Sequence, residues 1–203
     1  KGKGAKGDDF DALEQRLNVL NVASIDPPQG QQQRLINLYQ KGQFQQALDT
    51  ANQLLAEFPN SVTLHNACGV TNKGLGQLDA AIESYKQALK IQPNYADVYN
   101  NLGNALKDKG DLDAAIDSYK HALKIKPDYA EAYNNMANAL KDKGDLDAAI
   151  GSYQRALKIK PDYAEAYNNM GVTLQDKDDL EAAIDSYQQA LKIKPDYAEA
   201  YYN

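Results

Sequence analysis

Residues 96–129 read ADVYNNLGNALKDKGDLDAAIDSYKHALKIKPDY and residues 130–163 read AEAYNNMANALKDKGDLDAAIGSYQRALKIKPDY, so 27 of 34 positions are identical. Self-similarity at a fixed period sets the architecture before any local propensity is weighed. Outward from this pair, Pro59, Pro93, Pro127, Pro161 and Pro195 keep the spacing of 34. The 203 residues therefore divide into units 28–61, 62–95, 96–129, 130–163 and 164–197, with a partial sixth at 198–203. Copies this short cannot bury a core alone and must stack on their neighbours.

Within one unit the apolar residues fall at helical spacing twice. Tyr99, Leu102, Gly103 and Leu106 recur at steps of three and four, which places them on one helix face. Leu112, Ala115, Ile116, Tyr119, Ala122 and Leu123 do the same in the second half. The punctuation agrees: Gly110 suits the left-handed residue that ends a first helix, and Asp111 suits the cap of the second. Asp128 followed by Glu131 predicts a capping box that opens the next first helix, just after Pro127 stops the preceding one. Lys124 and Lys126 fall where the negative end of the helix dipole favours cations.

Tyr99, Leu102, Gly103, Leu106, Ala115, Tyr119, Ala122 and Pro127 together resemble the tetratricopeptide repeat, with Tyr where that family often carries Trp or Phe. The next unit repeats the set as Tyr133, Met136, Ala137, Leu140, Ala149, Tyr153, Ala156 and Pro161. The one after has Tyr167, Met170, Gly171, Leu174, Ala183, Tyr187, Ala190 and Pro195. The resemblance covers 28–203 and implies an all-α fold, a right-handed superhelical solenoid of stacked antiparallel helix pairs whose first helices line a concave groove. Small residues such as Gly103, Ala115 and Ala122 would let helices approach, and the tyrosines would fill the spaces between.

Some positions depart from the pattern. The first unit keeps Ala47 and Pro59 but has Leu35, Ala51 and Leu54 where other units place Gly or Ala, Tyr and Ala. His65 and Cys68 replace Tyr and Leu or Met in the second unit. Asp178 stands where Gly110 and Gly144 sit, at a cost of up to about 1 kcal/mol for a left-handed non-glycine residue. Ahead of the array, residues 1–7 form a Lys/Gly-rich tail. Phe10, Leu13, Leu17 and Leu20 then predict a capping helix within 8–27, opened by Asp8 or Asp9, ending before Pro27 and Pro28, and covering the N-terminal edge of the stack. At the other end the sixth unit stops within a first helix, so Ala183, Tyr187 and Ala190 are expected to lack full cover, and an end-to-end homodimer through that repeat is the alternative this implies.

Composition narrows the function. With 22 basic and 28 acidic residues the net charge is -6, and no basic stripe accumulates, so nucleic acid is not an expected partner. No apolar run is long enough for a membrane span. The lone Cys68 and the absence of a signal-like apolar opening lead us to expect a cytoplasmic setting. Catalysis needs a nucleophile, an acid and base, or a metal held together. The two histidines, His65 and His121, occupy non-equivalent places, Cys68 lies on a packing face, and the acids read as caps or helical pairs. We therefore expect no catalytic residue, no metal and no cofactor.

The stronger signal is a polar stripe. Asp97, Asn101, Asn104 and Asp108 lie on the helix face opposite Tyr99, Leu102 and Leu106. The following units give Glu131, Asn135, Asn138 and Asp142, then Glu165, Asn169, Val172 and Asp176. Asn101, Asn135, Asn169 and Asn203 thus recur at the repeat period, and Lys107 and Lys141 adjoin the stripe. In tetratricopeptide superhelices that precede O-linked N-acetylglucosamine transferases, such asparagines form a ladder along the groove, and the resemblance implies one here. A side-chain amide offers one acceptor and two donors, enough to pair with the backbone of an extended peptide whatever its sequence. The alternative is that copying alone repeats a solvated asparagine. Family members that clamp acidic C-terminal tails place cations on this face. Asn100, Glu165 and Asn169 stand in their stead here, which argues against that role. The resulting expectation is a non-catalytic scaffold for a protein or peptide partner. The alternatives are the substrate-recruiting region of a longer glycosyl- or sulfo-transferase, and a self-association module.

Overall fold

A computed structural model describes residues 25–203. The tail at 1–7 and the helix expected within 8–27 lie outside the described residues, except for Ile25, Asp26 and Pro27, which are not helical. The described residues form the helices α1 (Gln29–Gln40), α2 (Phe44–Glu57), α3 (Val62–Gly74), α4 (Leu78–Ile91), α5 (Ala96–Lys109) and α6 (Leu112–Ile125). They continue as α7 (Ala130–Lys143), α8 (Leu146–Ile159), α9 (Ala164–Asp176), α10 (Leu180–Ile193) and α11 (Ala198–Tyr202). Every helix packs on the next in sequence, and α3, α5, α7 and α9 also touch one another in series. The odd-numbered row is thus the tighter, inner side of a right-handed superhelix of stacked pairs.

Glycine against tyrosine sets the spacing within a pair. A Cβ built on Gly103 would come within 2.5 Å of the Tyr119 ring, and Tyr119 is fully buried at 0% exposure. Gly171 meets Tyr187 in the same way. The first repeat solves the same packing problem by exchange. Leu35 takes the glycine position and Ala51 the tyrosine position, and both are buried in one cluster with Leu54. Large and small have traded places across the pair, which conserves volume.

Turn chemistry follows the expectation at one end of the connection. Gly110 and Gly144 adopt φ of 89° and 88°. Asp111 then accepts from the Ala114 N–H at 3.4 Å, as Asp145 and Asp179 do from Ala148 and Ala182. Among the described residues, Asp178 is the non-glycine residue with positive φ, at 66°. Asp178→Gly is therefore expected to stabilise the chain by about 0.5–1 kcal/mol, read as a rise in thermal midpoint; an unchanged or lower midpoint would show that the turn holds no such strain.

The capping boxes do not form. The residue capping α7 is Tyr129, one later than the box requires, and no side chain caps it; Tyr95, Tyr163 and Tyr197 repeat this. Ring packing accounts for the shift: Tyr129 is half-buried, with Lys126 Nζ 4.4 Å from its ring centroid. Gly30 and Gly151 lie within α1 and α8 without positive φ, and a Cβ on either would meet nothing within 4 Å, so neither is a packing or a turn glycine. Nor do Ala183, Tyr187 and Ala190 lose their cover, since all three are buried. The apolar residues left bare in that repeat are Leu180 and Ile184, each 55% exposed, whereas Ile82 and Ile116 at the position of Ile184 are 7% and 5% exposed.

Candidate binding groove

The stripe residues all lie on the odd-numbered row, where α5, α7 and α9 present them to the inner side. The amide of each ladder asparagine is tied to the preceding repeat. Asn101 Nδ2 donates to Asn66 Oδ1 at 3.1 Å, and Asn135 Nδ2 to Asn100 Oδ1 at 3.0 Å. Asn169 and Asn203 donate to Asn134 and Asn168 at 3.4 and 3.2 Å. The acceptors Asn100, Asn134 and Asn168 are buried, at 6%, 0% and 6% exposure. Each rung thus has one N–H committed to the scaffold, while its carbonyl oxygen and second N–H remain to bond elsewhere. Sequence reading singled out the outer asparagines and missed the inner ones. The signal was there: the doublets Asn100-Asn101, Asn134-Asn135 and Asn168-Asn169 place two amides about 100° apart on one helix, so one faces the groove and one the neighbouring repeat.

Asn104 and Asn138 have the complementary polarity. Tyr119 Oη–H donates to Asn104 Oδ1 at 2.7 Å, and Tyr153 Oη–H to Asn138 Oδ1 at 2.5 Å. Burial, reinforced by nearby carboxylates such as Asp142, holds both phenols well above their ordinary value of 10.0. They stay protonated, so the donor role is fixed and the amide N–H groups of Asn104 and Asn138 turn away from the tyrosines. In the next repeat Val172 replaces this asparagine, and Tyr187 donates to Gln175 Oε1 at 3.1 Å instead.

The charged members are less uniform. Asp108 is bridged by Lys73 of the preceding repeat at 2.8 Å, with Lys107 Nζ at 3.9 Å. Lys141 is half-buried and Asp142 exposed. Lys109, Lys143 and Lys177 bond Asp79, Asp113 and Asp147 of the preceding repeats; these exposed pairs contribute little to stability.

The remaining reactive side chains have structural contacts. His121 stacks on Tyr99 with centroids 5.2 Å apart, and His65 Nε2 lies 3.0 Å from the Pro59 carbonyl oxygen. Burial pushes the Cys68 thiol up to about 11, which disfavours the nucleophilic thiolate. Among the described residues, no group of three or more His, Cys, Asp or Glu could hold a metal ion, and no helix is long and apolar enough to cross a membrane.

Residues 74–110, 103–144 and 137–178 match the family described as TPR repeat, and residues 33–61 and 164–197 match families described as tetratricopeptide repeat. The chain belongs to the tetratricopeptide repeat family. No curated protein matches it in sequence. Among solved structures, this tetratricopeptide repeat chain is similar to MamA at 28% identity and a TM-score of 0.71, over 80% of this chain and 95% of that one. PilF of Pseudomonas aeruginosa shares the fold at 19% identity and a TM-score of 0.76, covering 84% of this chain and 78% of its own. YrrB, described as a TPR protein with an unusual peptide-binding site, matches at 20% identity and a TM-score of 0.67 over 92% and 95% of the two chains.

Proposed function

We propose that the chain is a non-catalytic scaffold that binds an extended segment of a partner protein along the α5–α9 groove. The observation that carries this is the fixed polarity of its amides. Asn101, Asn135 and Asn169 each keep an acceptor and a donor after bonding the preceding repeat. Asn104 and Asn138 keep their donors after accepting from tyrosine. A row of groups held in place by the scaffold loses little entropy when a peptide backbone pairs with it. The described peptide-binding site of YrrB, on a chain of the same fold, supports the reading.

The test uses a peptide selected on the wild-type chain from a random library. Asn135→Ala together with Asn169→Ala is expected to weaken its binding about tenfold, the loss of one or two modest hydrogen bonds, while helical circular dichroism is unchanged. Equal affinity of wild type and double variant would remove the asparagines from the site.

A further inference from the structure

One tyrosine of the buried series lacks the partner that its counterparts have. Tyr119 and Tyr153 donate to Asn104 and Asn138, and Tyr187 donates to Gln175. In α3 the position of Asn104 is taken by Val70, and that of Asp108 by Gly74. These shorter side chains leave a recess of about 260 Å³ between α3 and α5, and Tyr85 lines it. Tyr85 is 1% exposed, yet among the described residues its hydroxyl makes no hydrogen bond and opens to the recess instead. A buried hydroxyl left unpaired by the scaffold is a group that a ligand can satisfy.

The rest of the lining defines the ligand. Burial, with Tyr39 close by, raises the Tyr85 phenol above its ordinary value of 10.0, so it keeps its proton to donate. Asn104 adds N–H donors, because its Oδ1 already accepts from Tyr119. Asn101 keeps Oδ1 as an acceptor, because its bond to Asn66 uses only one N–H. Lys73 also borders the recess, but it is paired with Asp108 at 2.8 Å. A carboxylate would therefore find no uncompensated cation there, and an ammonium group would meet Lys73. The volume lies below the roughly 300–1,000 Å³ of small-molecule sites, which suits one side chain.

We propose that the recess is the selective pocket of the groove and takes a side-chain amide, the Gln or Asn of a bound segment. This rests on the peptide-binding reading given above. The amide oxygen accepts from Tyr85 Oη–H and Asn104 Nδ2–H, and the amide N–H donates to Asn101 Oδ1, so both ends of the group are matched. Val70 and Gly74 pack against its methylenes. A Ser hydroxyl has similar polarity but leaves most of the volume empty. The pocket gives a register to a groove whose other amides read only backbone.

Peptides selected on the wild-type chain from a random library test this. Gln or Asn is expected to be enriched at one position. Tyr85→Phe keeps the ring and breaks no bond within the protein, and it is expected to weaken such a peptide about tenfold, the loss of one hydrogen bond. Val70→Asn gives Tyr85 the partner of its counterparts and fills the recess, so it is expected to weaken binding at least as much. The same peptide with Ala at the enriched position is expected to bind all three proteins equally. Enrichment of Asp or Glu, no enrichment at all, or affinity indifferent to both variants would overturn the proposal. A peptide that responds to Asn135→Ala with Asn169→Ala, but to neither Tyr85→Phe nor Val70→Asn, removes the pocket and keeps the groove. A library that yields no binder removes both.

Discussion

Gly103→Leu is expected to destabilise the chain by about 3 kcal/mol, because the added side chain enters space that the Tyr119 ring already fills. Tyr119→Ala is expected to cost about 3–5 kcal/mol through the cavity it leaves. The two changes together are expected to cost much less than their sum. Gly103→Leu with Tyr119→Ala recreates the Leu35 and Ala51 pair that the first repeat buries, so the native chain already contains a working copy of the exchange. Denaturant unfolding of the four proteins measures the coupling, expected to exceed about 2 kcal/mol in favour of the double variant. Additive losses would mean that the first repeat owes its packing to other residues. A single methyl is a different matter, since Ala137 already faces Tyr153 in the fourth repeat.

Alkaline pH is expected to unfold the array cooperatively. Burial raises the phenols of Tyr85, Tyr119 and Tyr153 above the ordinary value of 10.0, and it pushes Tyr163 up to about 12. In the unfolded chain each titrates near the ordinary value. The stability contributed by the neutral buried phenol is therefore fully present below pH 10 and is lost as the pH rises towards the folded-state values. Because this tyrosine series recurs from repeat to repeat, the losses combine over the whole stack. Tyrosinate absorbance followed alongside circular dichroism should show a late-titrating class that ionises only as helicity disappears. Ionisation of all tyrosines near pH 10 with the helices intact would contradict it.

The fold was legible because a period of 34 repeats both the apolar spacing and the turn residues, so each copy confirms the others. Local chemistry could be read wherever a backbone demand selects a residue type, as with the left-handed Gly110 and the cap at Asp111. It failed at Asp128 and Glu131, where packing of Tyr129 moves the start of α7 by one residue; a side chain's tertiary partner is not written in its neighbours. The groove was legible in outline only. Period and face located Asn101, Asn135 and Asn169, but their bonds run to residues 35 positions earlier. Which N–H is spent, and which way an amide points, depends on the distance between repeats rather than on the composition of one.

The exchanged pair of the first repeat also bears on how the chain finds its fold. Units that are nearly interchangeable leave translational frame ambiguous: an even-numbered helix could pair with the first helix of the wrong copy and lose little contact energy. Leu35 and Ala51 do not take part in that degeneracy. Leu35 facing a tyrosine would clash, and Ala51 facing a glycine would leave a void. One idiosyncratic repeat thus gives an otherwise periodic array an origin from which its frame is counted.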